Sequence, residues 1–97
     1  QSVATELSAR VVSGDVAFAM SKYDNALAHY GASLSNSDGT QGEPILLHRL
    51  VRLAATWAAL GDASRAAKLF SFCRCRVNRM FAGDRHLLQT TGAQHPA

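Results

Sequence analysis

The sequence has little of what covalent or metal chemistry needs. It holds two cysteines in 97 residues, too few for the disulfide framework of a small secreted domain. A reducing, intracellular compartment is the expected setting. Its two prolines fall outside the long apolar stretches, so neither interrupts a helix. No run of eighteen apolar residues occurs, and no membrane-spanning helix is expected. The opening Gln1-Ser2-Val3-Ala4-Thr5-Glu6 is neither basic nor apolar, so no signal peptide is expected. The chain starts on Gln1 rather than Met and reads as a fragment or a processed chain. Charged residues are only 18%, but apolar residues are 47%, the balance of a folded domain rather than a disordered one.

The net charge of +3 hides an asymmetry. Residues 1–43 carry −3, residues 44–64 carry +1, and residues 65–97 carry +5. A positive field confined to one segment favours an acidic partner, either nucleic acid or an acidic protein surface.

Hydrophobic spacing predicts helices and no strands. Val3, Leu7, Val11, Gly14 and Phe18 recur at helical intervals and predict a helix over 2–20. Ala26, Leu27, Tyr30 and Leu34 predict a second over 23–35. The Gly- and Ser-rich stretch 33–44 is the one clear break. Pro44 suits a first helical turn, and a strong stripe from Ile45 to Leu60 follows it. Leu60-Gly61-Asp62 reads as a helix stop and then an N-cap. A fourth helix is expected over 63–81, with Ala63, Ala66, Phe70, Cys73, Val77, Met80 and Phe81 as its core stripe. The tail 90–97 reads as frayed.

The two halves align on a shift of 40 residues: Ala26 falls on Ala66, Tyr30 on Phe70, Ser33 on Cys73, Ala17 on Trp57 and Gly14 on Ala54. This pattern resembles the tetratricopeptide repeat family. Leu50, Leu53, Ala54 and Trp57 fit the large, large, small and aromatic places of its first helix. "GDASRAAKLF" fits the turn and the start of its second helix, with Ala66, Phe70 and Cys73 at small, aromatic and small places. The first half departs at Arg10, Ser13 and Ala17, and neither half has the closing proline, since Asp38 and Asn78 stand there. The shift exceeds the roughly 34 residues usual for such repeats, so the loop 35–43 carries the excess. The resemblance implies an all-α fold of two stacked antiparallel helix-turn-helix hairpins, four main helices plus a short C-terminal tail. Repeat one would span about 7–38 and repeat two about 45–80, in a domain of residues 1–82 followed by a tail of 83–97.

Cys73 and Cys75 are two residues apart, about 200° around a helix. They cannot share a metal or close a disulfide there. Cys73 is expected to be a small buried hydrophobe, and Cys75 an exposed thiol near Arg74, Arg76 and Arg79. His29, His48, His86 and His95 show no metal-ligand spacing and are expected in surface or capping roles. The five aspartates lie near helix ends, where carboxylates cap. No nucleophile elbow, phosphate loop or paired carboxylate appears, so neither an enzyme nor a cofactor or metal is expected.

Two surfaces remain as candidates for partner binding. On a wheel of the fourth helix, Arg65, Lys68, Arg76 and Arg79 fall within an arc of about 80° with Phe72 at its middle. That face is a solvated one with Phe72 covered by Leu87 and Leu88, a protein contact, or a nucleic-acid contact. The resemblance implies a second, concave surface formed by Ser8, Val11, Asp15 and Phe18 and by His48, Arg52, Ala55 and Ala59. Family members that clamp chaperone carboxylates do so with Lys and Asn; Val11 and Asp15 hold those places here, which argues against that role. Two repeats are also fewer than a stack normally needs, so apolar surface is expected open at one end. The expected function is protein–protein interaction, as an adaptor or structural subunit. A ribonucleoprotein subunit using the basic face and a chaperone holding a partner helix are the alternatives.

Overall fold

Five α-helices and two 3-10 turns account for nearly all of the described residues, 3–35 and 43–95, of the computed structural model, with the backbone alone described at 3–8 and 35. The helices are α1 Val3–Ala19, α2 Tyr23–Ser35, α3 Glu43–Ala59, α4 Ala63–Arg74 and α5 Ala82–Thr90. Most of the Gly- and Ser-rich break, including Asp38, lies outside the described residues. No described residue is in a strand, and no helix among them is long and apolar enough to cross a membrane.

Helices α1 and α2 form one antiparallel hairpin and α3 and α4 a second, stacked on the first through α3. The two turns are built alike. At the end of α1, Lys22 N–H donates to the Ala17 carbonyl at 2.8 Å and Ser21 N–H to Phe18 at 3.0 Å. At the end of α3, Asp62 N–H donates to Trp57 at 2.9 Å and Gly61 N–H to Ala58 at 3.1 Å. Both are the paired bonds of a helix that stops on a left-handed residue. Gly61 supplies that residue with φ 91°; at the matching place Ser21 adopts φ 60°. Asp62 then caps α4, its side chain accepting from Arg65 N–H at 3.1 Å. The shift of 40 extends to the core: Ala26 and Ala66, Tyr30 and Phe70, and Ser33 and Cys73 are all fully buried.

A missing side chain sets the spacing of the first hairpin. A Cβ on Gly14 would lie 2.8 Å from the Tyr30 ring, so α1 approaches α2 only because residue 14 has none. Helix α3 is the centre of the molecule. Leu47, Arg49, Val51, Leu53, Ala54, Ala55 and Thr56 are buried around much of its circumference, since it packs against the other four helices. The main core gathers Leu47, Val51, Ala54, Phe70, Cys73, Met80 and Leu88; a smaller cluster joins Ala17, Ala26, Tyr30 and Leu53.

The structure corrects the sequence reading at the C-terminal end. The fourth helix does not run to 81. It stops at Arg74, followed by the 3-10 turn Val77–Arg79 and then α5. Arg79 has by then reached Glu43, at the start of α3. Turning back there brings Met80 and Leu88 into the core, where a straight helix would run on past α3. Three arginines hold carbonyls at this turn: Arg76 donates to Phe72 at 3.0 Å, Arg85 to Met80 at 3.0 Å, and Arg74 to Gly92 at 2.6 Å. Residues 90–95 are not frayed either. Met80, Asp84, Leu88 and Gly92, four apart, are all buried, and the 3-10 turn Gly92–Gln94 is pinned by Arg74 and by stacking of His95 on Phe70. The all-α fold of two stacked hairpins with a C-terminal tail stands as expected, and the tail itself folds as a fifth helix and a turn that close the second hairpin.

Candidate functional site

Helices α1, α2, α3 and α5 meet at one polar cluster. His48, mostly buried on α3, lies between two carboxylates. Its Nε2 is 3.0 Å from Asp15 Oδ2 on α1, and its Nδ1 is 2.9 Å from Asp84 Oδ2 on α5. The Tyr30 hydroxyl, from α2, donates to Asp15 Oδ1. Arg52, one turn beyond His48, brings Nε to 3.6 Å from Asp84 and lies over the Phe18 ring at 5.7 Å. Two cations thus balance two carboxylates.

The electrostatics follow from this geometry. Hydrogen bonds to Asp15 and Asp84 raise the His48 pKa to about 9 against the opposing effect of burial. Burial works to raise the Asp15 pKa, but the bonds from His48 and Tyr30 prevail and lower it. The Tyr30 hydroxyl is pushed well up, by burial first and by Asp15 second. His48 is therefore an imidazolium at neutral pH, with both N–H groups donating. It has no lone pair for a metal or for general-base chemistry. What the cluster does chemically is hold four helices together through charge-assisted hydrogen bonds. This corrects the expectation of a surface or capping role for His48.

The remaining expected contact residues divide among other places. Phe18, Ala55 and Ala59 line a cleft of about 260 Å3 with Tyr23, Gln94 and His95. Ala55 is buried rather than open, as part of the main core. Val11 is half-buried on α1. The basic arc does not survive the end of α4, because Arg76 and Arg79 lie beyond that helix. Arg65 stays on α4, over the Trp57 ring at 4.5 Å and 3.6 Å from Asp62; Lys68 is exposed. Phe72, Arg76 and Arg79 instead line a cleft of about 420 Å3 with Glu43 and Leu46. Leu87 and Leu88 pack on the main core, while Phe72 remains 40% exposed. Cys73 is buried, its thiol pushed up to about 11 by burial, and Cys75 is exposed.

Sequence reasoning missed three buried groups. Asp84 read as a helix cap, Tyr30 as a plain aromatic, and Arg49 was not singled out. Arg49 is fully buried, with Nη1 donating to the Ser33 carbonyl at 3.1 Å and Nε without a partner among the described residues. Burial lowers its pKa. Comparison of the chain with protein-family models, with curated proteins and with solved structures finds no match.

Proposed function

We propose that this chain is a protein–protein interaction module, a tetratricopeptide-like pair of hairpins acting as an adaptor or structural subunit of a larger assembly. The observation that carries this reading is an open apolar face on α1. Val12, Val16 and Met20, spaced four apart, are 60%, 53% and 58% exposed. Gly14 packs against α2, and Val12 and Val16, two residues to either side, point about 200° away from it. The small exposed residues Ala9 and Ala19 flank them, so another helix can come close.

The two ends of the stack differ. Helix α5 and the turn after it cover the second hairpin, whereas none of the described elements covers this face of α1. A stacked hairpin buries one face on its neighbour, and among the described elements the first hairpin packs mainly on α3. The uncharged stripe fits the apolar face of a partner helix. By contrast, His48 and Arg52 on the concave side are already matched by carboxylates of this same chain.

The test is the substitution Val16→Asp. The side chain faces solvent, so the melting temperature stays within a few degrees of the parent. Binding to the partner recovered with the parent chain from its native extract falls at least about tenfold, as expected for a charge placed in an apolar contact. A variant that melts like the parent and keeps the partner at full affinity refutes the reading.

A further inference from the structure

We propose that the cleft between the start of α3 and the end of α4 receives a short acidic segment of a partner protein. One apolar side chain of that segment lies on Leu46 and Phe72, and its carboxylates meet Arg76 and Arg79. The inference rests on the interaction-module reading and names a second surface and the chemistry it takes.

Three features of the cleft point to this occupant. First, part of its lining is apolar and open. Phe72 is 40% exposed, Leu46 lies beside it, and Ile45 at the adjoining start of α3 is 42% exposed. The space, about 420 Å3, suits a few residues of chain.

Second, Arg76 is held in place before any partner arrives. Its guanidinium lies 3.7 Å from the centre of the Phe72 ring, and Nη1 donates to the Phe72 carbonyl. Its other N–H groups have no partner among the described residues. A guanidinium held over a ring and tied to a carbonyl offers a pre-aligned fork to a carboxylate.

Third, the charges are complementary to an acid. Arg79 Nη1 is 3.1 Å from Glu43 Oε1, an exposed pair of the kind that contributes little to stability. The Glu43 carboxylate therefore occupies a place that an incoming carboxylate can take. Among the described residues no carboxylate lies within ion-pair distance of Lys68 or Arg76. A protein segment fits better than nucleic acid. The Arg76 guanidinium already lies over the Phe72 ring, where a base would stack.

The test uses the full chain immobilised on a column. The probe is a pool of eight-residue peptides with Asp or Glu at alternate positions and Phe, Leu, Ile or Val between them. Retained peptides are counted by mass spectrometry at low and at moderate salt. A matched pool with Lys or Arg at the charged positions and a single-stranded oligothymidylate run beside it.

The acidic pool is expected to be retained and the basic pool not. Arg76→Ala and Phe72→Ala each reduce retention about tenfold, the weight of an arginine or aromatic anchor. Both residues are partly or largely solvent-facing, and an unchanged melting curve confirms the fold. Glu43→Gln increases retention, because it removes the internal competitor. Val16→Asp leaves retention unchanged, which separates this cleft from the α1 face. Four results overturn the proposal: no retention of the acidic pool, equal retention of both pools, a decrease with Glu43→Gln, or tighter Phe72-dependent binding of the oligonucleotide.

Discussion

Replacing His48 by Gln removes a cation that lies 3.0 Å from Asp15 and 2.9 Å from Asp84, and the cost depends on pH in a calculable way. The folded state raises the His48 pKa from 6.5 to about 9. The folded protein therefore holds this proton more tightly than the unfolded chain does. The resulting stability is fully present below pH 6.5 and is lost as pH rises towards 9. At 1.36 kcal/mol per unit, the whole shift corresponds to about 3 kcal/mol. Asp15 is a third exposed, so solvent screens its share and this figure is an upper value. Between pH 6 and 8.5 the expected loss is about 2 kcal/mol.

The comparison stops at pH 8.5 for a structural reason. The Cys73 thiol is raised from 9.0 to about 11, so above pH 9 the unfolded chain ionises first and lowers stability for an unrelated cause. Urea unfolding followed by circular dichroism, at half-unit pH steps, reads the effect. With a slope on the order of 1–2 kcal/mol per molar urea, the parent midpoint falls by about 1–2 M across the range. The His48→Gln protein starts lower at pH 6 and then changes little. Parallel curves for the two proteins, or a flat parent curve, refute the imidazolium bridge.

Four further outcomes follow from the packing. Gly14→Ala drives a methyl group into the buried Tyr30 ring, 2.8 Å away, and should cost about 1–3 kcal/mol in a thermal melt. Ser21→Gly should stabilise by about 1 kcal/mol, because Ser21 holds a left-handed φ of 60° that costs a residue with a Cβ. Cys75 should react at once with a thiol reagent at neutral pH, while Cys73, buried and with its pKa raised to about 11, should react only at the rate of unfolding; equal rates would place Cys73 outside the core. Arg74→Ala should speed hydrogen exchange at Gly92–His95, whose carbonyls Arg74 holds, and leave α1–α3 unchanged.

The parts legible in the sequence were those set by neighbours along the chain. The hairpin turns follow from Gly61 and Asp62 and from the matching break at Ser21-Lys22, which the shift of 40 residues pairs. The opposite fates of Cys73 and Cys75 follow from helix geometry alone. The end of α4 was not legible, because apolar spacing continues to Phe81. The chain beyond the helix instead meets the start of α3, where Arg79 pairs with Glu43, 36 residues away in the chain. The cluster at His48 was illegible for the same reason: Asp15 and Asp84 are 33 and 36 residues from it. Asp15 and His48 were both placed on the concave side. No local pattern, however, shows that a third residue, Asp84, comes in on α5. With a polar residue at its one-turn spacing, α5 does not read as a core helix either.

The claim that α1 presents a docking face is tested most directly by site-specific photocrosslinking from Val16 in the native extract, with His86, an exposed residue of α5, as the control position. A discrete partner crosslinked from position 16, absent from position 86 and lost when Met20→Asp is added, is the predicted result. No discrete product from position 16, or the same product from position 86, would contradict it.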